Sequence, residues 1–164
     1  MSRIPEKGLL HVSVSAAAER FVSIEAIKHL ITGSAWRDSW DEPNLPKTAH
    51  IDFDSVADCS GIFPATLNTT MRLASGESST PTMLALQTTT KPVALAQAFS
   101  GTSALIERQM EQLQMRPNVV FTETVPAFSV GKQAWSGRTG FFMPLLLQAL
   151  EKQLSPEVPT GAKE

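Results

Sequence analysis

The sequence has one cysteine, Cys59, so no disulfide can close within the chain and no cysteine-rich metal site can form. Its three histidines are scattered and offer no metal-ligand spacing, so no resident metal is expected. Apolar runs are too short to span a membrane. The opening residues, MSRIPEKG, have no apolar signal core. Neither sign of charge dominates: the net charge is -2, and the Lys and Arg clustering that a nucleic-acid surface needs is missing. Together these absences point to a soluble cytoplasmic protein with neither a nucleic-acid nor a membrane partner.

What remains is an ordinary globular composition. Hydrophobic residues make up 42% of the 164, enough for a single core without metal or disulfide staples. One domain is expected over residues 1–154, with a disordered polar tail at 155–164, SPEVPTGAKE.

Strand and helix signals alternate along the chain. Residues 9–15, LLHVSVS, read as a strand, and Ser23 is placed to cap a helix through IEAIKHLI that Gly33 stops. The segment with Trp36, Trp40, Pro43 and Pro46 is too rich in Pro and Asp for regular structure and reads as a polar loop. CSGIF at 59–63 reads as a buried strand ending at Pro64, followed by a helix over 68–74. PTMLALQT at 81–88 opens on a proline suited to a first helical turn. PVALAQ at 92–97 is another buried strand, 102–115 has helical spacing, and NVVFT at 118–122 is a strand. PLLLQALEKQL at 144–154 closes the pattern as an amphipathic helix. Continuous apolar strands alternating with helices predict an α/β fold: a Rossmann-like (flavodoxin-like) parallel sheet with helices on both faces. Ligands of such sheets sit outside the carboxyl ends of the strands, in the loops after Ser15, Phe63 and Gln97.

Three places could carry chemistry. PATLNTT, Pro64 to Thr70, follows a strand and opens a helix, so backbone N–H groups and the side chains of Thr66, Asn68 and Thr69 are available to a polar ring edge or an anion. A capped turn with no ligand would look the same. His50, in AHIDF just ahead of a strand, could move a proton near neutral pH or simply sit at the surface. GKQAWSGRTG, residues 131–140, reads as a mobile loop in which Arg138 could meet a carboxylate, or as an ordinary surface loop.

HIDF, VADCSGIF, PATLNTTMRLASGESSTPTML and KPVALAQAF, in that order and spacing, resemble the core of the homo-oligomeric flavin-containing cysteine decarboxylases. That family includes phosphopantothenoylcysteine decarboxylase and the lantibiotic peptide decarboxylases. VSVSAAAERFVSIEAIKHLITG resembles the family's second strand, its TxSAxxFV turn and the helix after it, and DSWDEP resembles a family loop. The resemblance implies FMN held between the subunits of a homo-trimer or higher oligomer. It implies flavin contacts from Ser15, Ala17 and Phe21 on the phosphate side, and from Pro64, Ala65, Thr66, Asn68 and Thr69 against the ring. His50 takes the place of the catalytic base. The implied reaction is FMN-dependent oxidative decarboxylation of a cysteine at a peptide C-terminus, the substrate being a cysteine-containing peptide or a small molecule, with the flavin as electron sink.

The chain also departs from the family. It starts at the family's second strand, so the first βα unit, with its phosphate-cradling loop, is expected to be missing and two sheet edges exposed. The family's PAMN asparagine, which binds the substrate carboxylate, is replaced by Ser100, a shorter donor. Trp135 stands where the coenzyme-pathway enzymes carry a loop cysteine, which is compatible with the peptide-modifying branch, whose product stays oxidised, and equally with lost activity. Three other readings remain: a degenerate, non-catalytic flavin-binding subunit, a phosphopantothenoylcysteine decarboxylase-like enzyme, and a flavin prenyltransferase, against which His50 argues.

Overall fold

The computed structural model describes residues 8–43, 45 and 48–155. The tail expected to be disordered at 155–164 lies outside the described residues beyond Ser155, as does Pro46 of the expected loop. Chain order runs β1 (Val12–Val14), a single 3-10 turn (Ala18–Arg20), α1 (Ile24–Leu30), β2 (Ala35–Arg37), α2 (Ala49–Val56), β3 (Ser60–Ala65) and α3 (Leu67–Ala74). It continues with α4 (Pro81–Thr88), β4 (Val93–Gln97), α5 (Ala104–Gln114), β5 (Val119–Phe121), β6 (Val125–Ser129), β7 (Ala134–Thr139) and α6 (Met143–Leu154).

The predicted alternation produces parallel pairing throughout the first five strands. β4 is the centre, with β3 on one side and β5 on the other, in register Ile62–Leu95–Phe121. Among the described residues it is the one strand buried on both faces, which is why VALAQ reads as an unbroken apolar run. Its side chains alternate between two cores. Val93 and Leu95 pack with Leu73 of α3, Met83 and Leu86 of α4 and Leu113 of α5. Ala94 and Ala96 turn the other way and meet Leu146 and Leu150 of α6. Small residues on that face let α6 lie close to the strand. Helices thus cover both faces, as expected of the fold class.

β1 and β2 form a second, parallel pair, in register Val12–Ala35 through Val14–Arg37. The helix α4 joins it to the main sheet. Thr82 shares a 2.6 Å hydrogen bond with Ser13 and donates its backbone N–H to Asp38, while Met83 beside it enters the core under Ala65. Among the described residues β1 pairs only with β2, and β3 only with β4. The other edge of β1 and that of β3 thus carry no partner strand among the described residues.

Four expectations are corrected. The first strand is shorter than 9–15, because Leu9 and Leu10 are exposed and only Val12–Val14 finds a partner. The loop around Trp36 contains β2, held by tertiary contact: Ala35 is buried and Trp36 stacks on Phe53 of α2 at 4.4 Å between ring centres. His50, ahead of β3, stands in the first turn of α2, where Ala49 is fully buried. The segment 131–140 is not a free loop, since 134–139 is the strand β7, antiparallel to β6. The strand over CSGIF also runs past its expected end at Pro64, with a register shift between Ile62 and Ala65. A strand paired along one edge tolerates a proline there.

Candidate functional site

The amino end of α3 is built as the sequence predicts. Thr66 is its N-cap, with extended backbone and a hydroxyl accepting from the Thr69 N–H at 3.3 Å. Ala65 is buried under the core, while Pro64, Thr66 and Asn68 are exposed and Thr69 is half-buried beside them. The first backbone N–H groups of a helix have no carbonyl partner within it, so the turn presents donors outward. Hydroxyls, one carboxamide and free N–H groups, with no carboxylate among them, suit an uncharged polar ring edge or an anion.

Two further segments close on this turn. The Ala98 N–H donates to the Ala65 carbonyl at 3.0 Å, which carries the β4 exit loop, and Ser100 two residues on, to the same place. The β6–β7 hairpin is knotted to that loop at its exit. The Gly140 N–H donates to the Gln97 carbonyl at 2.6 Å, the Thr139 hydroxyl donates to the same oxygen at 3.2 Å, and Phe141 stacks on Phe63 at 4.4 Å. Between the β4 exit loop and the hairpin lies an open cavity of about 300 Å³, lined by Ser100, Gly101, Ser129, Lys132, Ser136 and Gly137.

Ser15, Ala17 and Phe21 form a separate exposed turn at the end of β1, in which the Ser15 hydroxyl accepts from the Ala18 N–H at 3.2 Å. Phe21 is 87% exposed. His50 stands on α2, its ring edge-on to Trp40 at 6.2 Å, with Nδ1 buried and unpartnered among the described residues. α2 packs on α4, and no hydrogen bond among the described residues joins His50 to the PATLNTT turn. Arg138 is turned away from the cavity: its Nε donates to the Thr124 hydroxyl at 2.8 Å and Nη2 to the Thr124 carbonyl. Trp135 lies on β7, 73% exposed and edge-on to Phe128. Burial, with a smaller contribution from the Asp58 carboxylate, pushes the Cys59 thiol up, so it stays protonated and is a poor nucleophile.

Sequence reasoning therefore placed Pro64, Ala65, Thr66, Asn68 and Thr69 together and put Ser100 near them. It missed the hairpin, the knot at Gln97 and Gly140, and Lys132. Pro126 and Gly137 inside β6 and β7 hide the strand signal, and a hairpin exposed on both faces has no apolar alternation to find.

The profile of the Flavoprotein family matches residues 3–134. A cypemycin cysteine dehydrogenase (decarboxylating) from Streptomyces sp is 35% identical over 144 residues, covering 88% of this chain and 75% of the relative. The crystal structure of the cypemycin decarboxylase CypD superposes with a TM-score of 0.76 at 35% identity, over 90% of this chain and 77% of that one. The peptidyl-cysteine decarboxylase EpiD shares the fold, with a TM-score of 0.71 at 13% identity, over 87% of this chain and 82% of that one.

Proposed function

The chain belongs to the Flavoprotein family, and from that premise we propose that it is an FMN-dependent enzyme that oxidatively decarboxylates a cysteine at a peptide C-terminus. The observation that carries this is the outward-facing donor set of Thr66, Asn68 and Thr69 at the start of α3, beside a cavity large enough for a chain end. The 35% identity to a cysteine dehydrogenase (decarboxylating) over most of this chain supports the same reading.

The residues fit the flavin. Pro64, Thr66, Asn68 and Thr69 would lie against its ring, with the Asn68 amide and the α3 N–H groups meeting the polar edge, while Ala65, buried in the core, anchors the turn beneath them. Ser15, Ala17 and Phe21 would hold the phosphate side, where the open turn after β1 leaves room. FMN supplies the electron sink that makes the cysteine carbon chain able to lose carbon dioxide. The chain's own residues bind and orient. The hairpin and the β4 exit loop hold the peptide end between them. His50, through its imidazole, takes and returns the proton that the chemistry moves. A homo-trimer or higher oligomer brings the His50 and PATLNTT regions of neighbouring subunits within reach of one flavin. The exposed Met143, Leu147 and Leu154 on α6 are apolar surface available for such assembly. The free thiol of Cys59 suits a reducing cytoplasm.

A second reading, a flavin-binding subunit completed by a fuller relative, is favoured by the edges of β1 and β3 that carry no partner strand among the described residues. The two are separated by assaying FMN-loaded protein on a cysteine-ending peptide. His50→Asn should abolish carbon dioxide release while the bound flavin absorbance survives. Full activity in that variant would remove His50 from the chemistry, and an inactive wild type with bound flavin would favour the second reading.

A further inference from the structure

Ser100 replaces the residue expected to bind the substrate carboxylate, and Arg138, the cation expected to help it, is held by Thr124. A carboxylate with one serine hydroxyl would be poorly satisfied. The cavity beside Ser100 contains the missing partner. We propose that Lys132, at the turn of the hairpin, is the cation that binds the substrate's terminal carboxylate and sets specificity for a free chain end. This deepens the decarboxylase reading and rests on it.

The lining of the cavity is chemically one-sided. Ser100, Ser129, Ser136, Lys132 and two glycines line it, and no Asp or Glu is among them. Ser129 already accepts from the Lys132 backbone N–H at 3.3 Å, so its hydroxyl hydrogen is left to donate to a guest. An ionised carboxylate only accepts, while a lysine ammonium only donates and has three hydrogens to place. Lys132 is exposed at the hairpin turn, so its ammonium keeps the reach to close over a bound chain end. Gly137 has φ +92°, and a Cβ there would stand 3.2 Å from the Ser100 Cβ, so glycine keeps the floor of the cavity open. The cavity also adjoins the flavin-side turn: Ser100 is two residues, at most about 7 Å of chain, from Ala98, whose N–H binds Ala65.

The chemistry adds a kinetic signature. The carboxylate loses its charge as carbon dioxide departs, so an ion pair to it is strongest before reaction. Such a contact tightens binding without lowering the barrier. Losing Lys132 should therefore raise KM, with kcat unchanged or slightly higher.

The test is calorimetric titration of the FMN-treated protein with a cysteine-ending peptide and with its C-terminal amide. The wild type should prefer the acid about tenfold, as a charge-assisted contact does. Lys132→Met should lose that preference, Lys132→Arg should keep most of it, and Lys152→Met on α6 should keep all of it. A wild type indifferent to acid or amide, or a preference that survives in Lys132→Met, overturns the proposal. Flavin absorbance read on the same samples judges the decarboxylase reading separately, because the acid-over-amide preference is measured whether or not flavin is bound.

Discussion

Replacing Gly140 with alanine should loosen the hairpin from the sheet. Gly140 is buried where β7 leaves the hairpin, and an added Cβ would stand 2.4 Å from the Thr122 hydroxyl and 3.0 Å from the Gln97 backbone nitrogen. Neither neighbour can retreat cheaply. Gln97 ends the central strand, and Thr122 is only 5% exposed. The methyl group must instead push the chain outward, which stretches the Gly140–Gln97 hydrogen bond and the Thr139 contact on the same carbonyl. Overpacking of this kind costs about 2 kcal/mol. For a domain of this size that lowers Tm by about 5 °C. Urea denaturation of Gly140→Ala beside Gly131→Ala isolates the effect, since a Cβ at Gly131 meets nothing within 4 Å. Gly131→Ala should stay within about 0.5 kcal/mol of the parent. If Gly140→Ala proved equally benign, the hairpin would not be locked at Gln97 and the cavity beside Ser100 would lose its wall.

Other substitutions probe other parts of the account. Leu95→Ala removes a fully buried side chain from the centre of β4 and should cost about 3 kcal/mol in the same denaturation assay. Thr66→Ala removes the cap of α3 and should cost about 1 kcal/mol, and it should also weaken FMN binding measured by flavin fluorescence quenching. The Arg72 side chain, and then the Ser79 hydroxyl, hold the Glu77 carboxyl down to about 2 from its ordinary 4.5. A depressed folded value means stability that is present above pH 4.5 and lost as pH falls toward 2. Glu77→Gln should accordingly flatten the fall in stability between those limits, and an unchanged acid limb would show that the pair contributes nothing.

Much of the fold could be read because β4 and its helices obey local rules. Pro81 at the start of α4, Ser23 and Thr66 as caps, and the apolar run of β4 act through near neighbours in sequence. What escaped depends on distant contacts. β2 is three residues held by Trp36 on Phe53, and α2 is a helix because Ala49 and Phe53, four apart, share the face that meets its surroundings. The site divides the same way. The PATLNTT turn is a contiguous stretch and was visible, whereas Lys132 and Ser100 line one cavity only through a hairpin whose strands are broken by Pro126 and Gly137. Arg138 had the right charge for the role given to it, but Thr124, fourteen residues earlier, holds it elsewhere.

The central claim is that this chain holds FMN at the PATLNTT turn. The most direct measurement is the visible absorption spectrum of the purified protein, before and after adding FMN and removing the excess. A flavin band that co-elutes with the wild type and is weakened in Thr66→Ala and Asn68→Ala is the predicted result. A protein that remains colourless after FMN is added, or a band indifferent to both substitutions, would contradict it.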